Sequence, residues 1–288
     1  MKSFQFEQLD GGALTVSAEF VPLLQSSGLD SFHALMNSSD GTVAKNLLAE
    51  RTTTRFELTD DTGTARVFYI KRHRRPPWKE YVKPWLRLTR PILGAENEWR
   101  AILAFHECGI PTMRPVALGR RNGESFLVTE GLEGCIKLSD WMERYLGQGE
   151  NASSSPRADS RDSEAAAPVN AVVDRLAAIA RQMHSSGLHH QDFYLTHFLL
   201  PAEQVDAPQK VHVIDLGRAR QCRPLSARWV VKDLAQLNYS ASRFSPADRR
   251  RFLEQYLGRE IGPGDQRMMR KIERKTAAIA RHSRRHQL

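Results

Sequence analysis

The sequence has few cysteines and no long apolar run, and each absence excludes a class of protein. Its 288 residues include only three cysteines, Cys108, Cys135 and Cys222, an odd number without the spacing of a metal site. Such isolated cysteines favour reduced thiols in the cytosol over a disulfide framework. Nowhere do about 18 apolar residues run together, so we expect no membrane-spanning helix.

The N-terminus also lacks the basic segment and apolar stretch of a secretory signal, and no internal repeat is visible. We therefore expect a cytoplasmic protein. A chain of 288 residues can bury a substantial core, and it fits one large domain better than several small modules.

The most informative residues lie in the second half of the chain. Residues 187–200 have the sequence GLHHQDFYLTHFLL, and the turn sequence DLG follows at 215–217. Protein kinases carry H-R-D-x-x-x-x-N on a catalytic loop and D-F-G on the metal-binding turn after it. His190, Asp192 and Asp215 occupy the corresponding positions. This order and spacing indicate phosphoryl transfer from ATP.

Two residues of the loop depart from the protein-kinase pattern. Gln191 replaces the Arg, and His197 stands where an Asn would hold a second magnesium ion. A neutral imidazole is a poor direct ligand for Mg²⁺, which favours contact through a water. The sequence leaves open that His197 binds the metal directly. Direct contact predicts that Mn²⁺ supports activity relatively better than it does in an Asn-bearing kinase.

Each acidic residue of the motif has a predicted task. Asp192 accepts a hydrogen bond from the acceptor hydroxyl and orients it for attack on the γ-phosphate. Asp215 coordinates the metal. The surrounding pattern agrees, because a helical pattern before the loop ends at Gly187, and short apolar runs at 198–200 and 211–214 predict strands.

Upstream, the β-rich run 66–71 ends in Lys71, as a kinase strand does before its ATP-contacting lysine. A glutamate of the following helix holds that lysine in kinases, and Glu96 and Glu98 both open the predicted helix 96–108. We favour Glu98, although the sequence leaves both open. The residues at core spacing in this helix are Trp99, Ile102, Leu103 and His106.

No G-x-G-x-x-G loop precedes Lys71, and the threonine-rich run 51–55 stands in its place. Arg51 and Thr53 are candidate phosphate contacts, although β-propensity alone also explains such a run. Residues 125–130 resemble the strand and hinge that receive adenine in kinases.

Beyond a generic kinase, the chain resembles the lipopolysaccharide kinase (Kdo/WaaP) family, bacterial enzymes that phosphorylate sugars of the lipopolysaccharide inner core. The motifs that carry this resemblance are FYIK at 68–71, EW at 98–99, GIPT at 109–112, HQDFYLTHF at 190–198 and IDLGRA at 214–219. The resemblance covers roughly residues 44–239, and the family pattern includes a histidine at the position of His197. An Arg is common in the family where this chain has Gln191.

The resemblance implies an α+β, two-lobed protein-kinase-like fold, with a β-rich N-terminal lobe and a mainly helical C-terminal lobe. We expect an irregular N-terminal extension at 1–43, a small lobe at 44–131 and a large lobe at 132–288. Within the large lobe, residues 147–168 should form a mobile insertion, and the basic C-terminal tail should be solvated. Asp233 is predicted to be a structural helix-cap residue that supports the catalytic loop.

The net charge of +9 is concentrated in two segments, 71–90 and 267–288, each with eight Lys or Arg residues and one acid. Such segregation suggests surfaces that attract a polyanion. The first segment mixes Trp78, Tyr81 and Trp85 with its basic residues, which suits a membrane interface, although a solvated loop explains it equally well. We expect an anionic sugar-lipid acceptor and peripheral contact with the inner membrane, and no nucleic acid.

The resulting hypothesis is an ATP- and Mg²⁺-dependent kinase, with Mn²⁺ as a possible substitute, acting on a heptose or Kdo hydroxyl of the lipopolysaccharide core. No A-P-E motif follows residues 215–217, so we expect no peptide acceptor. The sequence leaves two alternatives open. One is a small-molecule phosphotransferase of aminoglycoside or choline kinase type, and the other is a catalytically silent relative that binds anionic membrane or nucleic acid.

Overall fold

A computed structural model describes residues 4–38, 42–48, 51–74, 94–147 and 166–286 of the chain. The chain divides into two compact units. Met1–Glu133 and Leu216–Arg218 form the first, and Gly134–Asp215 and Ala219–Leu288 form the second. Most of the basic, aromatic segment at 71–90 and most of the predicted insertion at 147–168 lie outside the described residues.

The first unit is built on a seven-stranded antiparallel sheet, with strand order β1-β2-β6-β7-β5-β4-β3. Its strands are β1 (Phe6–Leu9), β2 (Leu14–Ser17), β3 (Thr42–Leu48), β4 (Arg51–Thr59), β5 (Ala65–His73), β6 (Pro115–Arg121) and β7 (Glu124–Glu130). Its helices are α1 (Val21–Ser26), α2 (Phe32–Asn37) and α3 (Glu96–Glu107).

The N-terminal residues, which we expected to be irregular, are part of this sheet and its core. β2 pairs with both β1 and β6, and Phe20 and Leu24 are buried in the same cluster as Phe68 and Phe126. The alternation of apolar and polar residues in β2 is only four residues long, which is too short to identify a strand from sequence alone.

Arg72 further attaches the N-terminal segment to the sheet. Its buried guanidinium donates hydrogen bonds to the carbonyl oxygens of Leu35 and Ser38 at 3.0 and 3.1 Å, and to Thr54 Oγ1 at 3.0 Å. Burial lowers the pKa of Arg72 below its ordinary value. The strand that contains Lys71 is therefore fixed to α2 through the neighbouring residue.

α3 confirms the predicted helix after Lys71, and Trp99 and Ile102 are buried as expected, but the rest of its buried face differs from the prediction. Ala101 and Phe105 are buried, whereas Leu103 and His106, which we expected in the core, are only partly buried. The helix turns the face that contains Glu98 inward, since positions 98, 101, 102 and 105 follow the i, i+3, i+4, i+7 spacing of a single face.

The second unit is mainly helical. Its helices are α4 (Leu138–Gly147), α5 (Ala167–Ser185), α6 (Ala227–Ser240), α7 (Pro246–Leu257) and α8 (Gln266–His286). Its short strands are β8 (Cys135–Lys137), β9 (Leu188–His189), β10 (Phe198–Pro201), β11 (His212–Val213) and β12 (Arg220–Gln221). They form a three-stranded sheet in the order β11-β10-β8 and a β12-β9 pair.

The predicted helix end before the catalytic loop is confirmed. α5 ends at Ser185, and Gly187 follows with a left-handed φ of 76°. A Cβ atom at this position would lie 2.6 Å from the carbonyl oxygen of Cys222. Glycine is therefore required here both for its φ and for the close approach of the backbone.

The C-terminal basic segment is not a solvated tail. Ile272 of α8 is buried, and Thr276 accepts a hydrogen bond from Asn238 at 3.1 Å and donates to the carbonyl of Ala235 at 3.3 Å. α8 therefore packs on α6 with one face and exposes its basic face. Among the described helices, none is both long enough and apolar enough to cross a membrane.

Candidate active site

Lys71 and Glu98 form an ion pair in the first unit. The Nζ atom of Lys71, on β5, lies 2.6 Å from Oε1 of Glu98, on α3. The Glu98 side chain is only 6% exposed and the Lys71 side chain 30% exposed. Glu96, the alternative partner, contacts Arg100 at 2.6 Å and Arg120 at 3.2 Å instead.

The threonine-rich strand β4 lies directly beside Lys71. Thr53 is the register partner of Lys71, and Arg51 is the partner of His73. Side chains of directly opposed residues in an antiparallel pair share a face of the sheet, so Thr53 shares a face with Lys71. For Arg51 the structure describes only the backbone position at the start of β4.

In the second unit, the His190 ring contacts the backbone at Asp192 and the backbone just before Asp215, the two acidic residues of the motif. Its Nε2 lies 3.0 Å from the carbonyl oxygen of Ile214, and its Nδ1 lies 3.2 Å from the amide nitrogen of Asp192. A carbonyl only accepts and an amide only donates, so Nε2 carries the proton and Nδ1 does not. Burial lowers the pKa of His190 and keeps this ring neutral.

His197 lies between Asp192 and Asp215. Its Nδ1 donates to the carbonyl oxygen of Asp192 at 2.7 Å, and its Nε2 lies 3.6 Å from Oδ2 of Asp215. In the neutral ring, Nε2 therefore holds the lone pair that faces the carboxylate. Two lone-pair atoms in this arrangement fit a shared cation, and Mg²⁺ usually takes only one or two protein ligands beside phosphates and water.

The backbone of this region is strained at two positions. Gln191 has φ 73° and Asp215 has φ 59°, a left-handed conformation that costs about 1 kcal/mol or more in residues other than glycine. Asp tolerates it better than Gln does. Such strain persists only where the surroundings hold it, and it is common at functional sites.

Asp233 holds the strained loop in place. Its fully buried carboxylate accepts hydrogen bonds from the amide nitrogens of His190 and Gln191, both at 2.8 Å. It lies in the middle of α6, so the predicted helix-cap position was wrong, although the expected contact with the loop is present. Asp233 reaches the loop because it points from the buried face of a helix that starts after the motif.

Sequence reasoning missed His184, which lies next to Asp233, and Tyr256, which contacts His184. His184 Nε2 lies 3.5 Å from Asp233 Oδ2, and His184 Nδ1 lies 2.9 Å from the hydroxyl of Tyr256. Burial raises the pKa of Asp233, but the neighbouring His184 and the amide of His190 outweigh burial and lower that pKa. These residues are 72 positions apart in sequence, and no local pattern connects them.

A model of the lipopolysaccharide kinase (Kdo/WaaP) family matches residues 40–256. The chain belongs to this family. Lipopolysaccharide core heptose(I) kinase WaaP of Pseudomonas aeruginosa is 35% identical over 248 residues, covering 82% of this chain and 83% of that protein. WaaP of Escherichia coli is 31% identical over 244 residues, covering 81% and 85% respectively.

A solved structure of WaaP in complex with acyl carrier protein is also similar. It is 29% identical and has a TM-score of 0.67, and the alignment covers 92% of this chain and 98% of that one. The predicted family and the predicted α+β, protein-kinase-like fold class are thereby confirmed. Membership of a kinase family implies ATP as the phosphoryl donor, and it argues against a silent scaffold.

The Lys71–Glu98 pair predicts different effects for the two neighbouring glutamates. Glu98→Gln should lower kcat/KM for ATP by about 10- to 100-fold, because a misplaced positioning residue costs up to about a hundredfold. Glu96→Gln removes surface ion pairs, which contribute about 1 kcal/mol or less, and should change it by less than about threefold. Steady-state kinetics with varied ATP test this, and equal losses in the two variants would contradict the assignment of Glu98.

Proposed function

We propose that this protein transfers the γ-phosphoryl group of ATP to a heptose hydroxyl of the lipopolysaccharide inner core. Its family and its similarity to heptose(I) kinases of two species support this acceptor. The observation that carries the chemistry is the catalytic loop, where His197 contacts the backbone of Asp192 and faces the carboxylate of Asp215.

In this proposal, each residue acts on a different part of the reaction. Lys71, held by Glu98, contacts the phosphates of ATP, and Thr53 of β4 adds a contact on the same side. Arg51, at the start of β4, is proposed as a further phosphate contact. Asp192 accepts a hydrogen bond from the acceptor hydroxyl and aligns its oxygen with the γ-phosphorus.

The metal site of the proposal is formed by Asp215 and His197. Either Mg²⁺ or Mn²⁺ fits this pair of ligands, and the bound ion would neutralise charge on the phosphates. Asp215 brings the carboxylate oxygen that both ions favour, and Nε2 of His197 adds a nitrogen ligand that suits Mn²⁺ better than Mg²⁺.

The test is transfer from γ-labelled ATP to two acceptors, a heptose-containing core lipopolysaccharide and Kdo-lipid A without heptose. We expect label on the heptose-containing acceptor alone, and none with the Asp192→Asn variant. Label on Kdo-lipid A would contradict the heptose assignment and identify Kdo as the acceptor sugar. Label on neither acceptor, with ATP still bound, would contradict the proposed function and favour a soluble acceptor.

We further propose that the protein works in the cytoplasm, in peripheral contact with the inner membrane that carries a lipid-linked acceptor. The basic residues on the exposed side of α8 are Arg267, Arg270, Lys271, Arg274, Lys275, Arg281, Arg284 and Arg285. Each basic residue near an anionic leaflet contributes about 1 kcal/mol, and salt screens the attraction. Co-sedimentation with phosphatidylglycerol vesicles, but not with phosphatidylcholine vesicles, is expected at low salt and should be lost at high salt.

Acyl carrier protein is a proposed protein partner, since a similar structure contains it. In the second unit, a cavity of about 550 Å³ lies among α5, α6, α7 and α8, and mostly apolar side chains line it. Such a cavity suits an acyl chain. We expect acylated carrier protein to bind more tightly than the unacylated form, and equal binding in calorimetry would exclude a role for the cavity.

A further inference from the structure

The carboxamide of Gln236 binds the backbone on both sides of Asp192. Gln236 is on α6 and is only 4% exposed. Its Nε2 donates to the carbonyl oxygen of Gln191 at 2.8 Å, and its Oε1 accepts from the amide nitrogen of Phe193 at 3.1 Å. One side chain thus binds the residue before Asp192 and the residue after it.

The loop itself dictates the orientation of this carboxamide. The Gln191 carbonyl can only accept a hydrogen bond and the Phe193 amide can only donate one, so a flipped carboxamide would lose both bonds. Nε2 has a second acceptor in the hydroxyl of Tyr194 at 3.2 Å. The side chain is therefore held in a single orientation by three contacts, all of them with the loop.

We infer that Gln236 is a positioning residue that holds the Asp192 carboxylate in place for phosphoryl transfer. This inference rests on the proposed function and deepens it. Asp233, one turn earlier on α6, binds the amides of His190 and Gln191, which precede Asp192. Gln236 binds the residue immediately before Asp192 and the residue immediately after it, so it determines the direction in which the Asp192 Cα–Cβ bond leaves the loop.

The size of the expected effect follows from the geometry of the reaction. A displacement of a reacting group by about 1 Å can cost about a hundredfold in rate. Binding of ATP does not depend on this loop segment in the proposal, because Lys71 and Glu98 belong to β5 and α3. Loss of the Gln236 contacts should therefore lower kcat and leave KM for ATP nearly unchanged.

The first variant is Gln236→Met, which keeps the length of the side chain and removes all three contacts. We expect kcat to fall by about 30- to 100-fold, with KM for ATP within about twofold and with a cooperative unfolding transition retained. The matched control is Ser240→Ala on the same helix. Ser240 accepts from the amide of Leu195 at 2.9 Å, three residues beyond Asp192, and its loss should lower kcat by less than about threefold.

The second variant, Gln236→Glu, gives a pH signature that a purely structural role would not produce. An ionised carboxylate accepts from Phe193 but cannot donate to the Gln191 carbonyl, whereas the protonated carboxyl can do both. Burial and the neighbouring acids Asp192 and Asp233 raise the pKa of the introduced carboxyl, and His190 is neutral. The ratio of variant to wild-type kcat should therefore rise as the pH falls.

Hydrogen exchange separates this inference from the proposed function, because it needs no acceptor. The Phe193 amide should exchange at least tenfold faster in Gln236→Met than in the wild type, whatever the acceptor sugar is. If the wild type transfers phosphate and Asp192→Asn does not, the function stands and kcat tests Gln236 directly. An unchanged kcat together with unchanged exchange at Phe193 would overturn the positioning role.

Discussion

Replacing Asp192 by Asn should lower phosphate transfer by about a thousandfold and leave ATP binding intact. The amide is nearly isosteric with the carboxylate, so the backbone contacts from Asp192 to His190 and His197 should persist. Its nitrogen end cannot accept the acceptor proton, and general-base catalysis contributes about 10²- to 10⁴-fold. Single-turnover transfer from γ-labelled ATP to the heptose acceptor measures the loss, and nucleotide titration measures the affinity.

The control for this substitution is Asp140→Asn, which changes an exposed carboxylate of the same unit. Its transfer rate should lie within about twofold of the wild type, as for most surface substitutions. If Asp192→Asn keeps more than a tenth of the wild-type rate, another group accepts the proton, and the catalytic role of Asp192 is wrong.

Replacing Asp215 by Asn should also reduce transfer by about a thousandfold, here through loss of the metal. Removing the carboxylate takes away the charged oxygen ligand, and charge neutralisation by a bound ion contributes several kcal/mol. Asp215 also has a left-handed φ of 59°, which Asn tolerates as well as Asp does, so the fold should survive. Titration of Mn²⁺ in the presence of ATP, followed by electron paramagnetic resonance, should show weaker metal binding in parallel with the lost activity.

The companion substitution His197→Asn tests whether the imidazole contacts the metal directly. Nitrogen ligands suit Mn²⁺ better than Mg²⁺, so the variant should lose the relative advantage of Mn²⁺ while it keeps Mg²⁺-supported transfer. An identical Mn²⁺ to Mg²⁺ rate ratio in wild type and variant would place His197 outside the metal's ligands. Unimpaired metal binding in Asp215→Asn would contradict the site itself.

Much of the candidate site could be predicted because its motifs are short and local. His190, Asp192 and His197 lie within one loop, and a glycine with a required left-handed φ ends the helix before it. The Asp215 turn follows a strand that the apolar run 211–214 predicted, and the structure has that strand at His212–Val213. Local backbone preferences decide such features, so the sequence carries them.

Sequence reasoning predicted that Asp233 supports the loop but not its position within a helix, and it did not predict Gln236 as a support, because the partners of both residues are distant in sequence. Asp233 and Gln236 reach the loop across 42 to 45 positions, and nothing in a helical pattern marks a polar residue as inward-facing. Sequence reasoning therefore placed Asp233 at a helix cap. The same holds for β1 and β2, whose short patterns become a sheet only through pairing with β6.

The sequence by itself determined the kinase class and the family, and it placed the candidate acidic residues, because those depend on residue types at fixed local spacing. Only the tertiary structure decided that Glu98 and not Glu96 pairs with Lys71, and that Gln236 binds the residues on both sides of Asp192. The physical reason is that inward orientation on a helix depends on what packs against it. A difference of one or two positions turns a side chain by 100° to 200° about the helix axis, and burial then selects which residue faces the site.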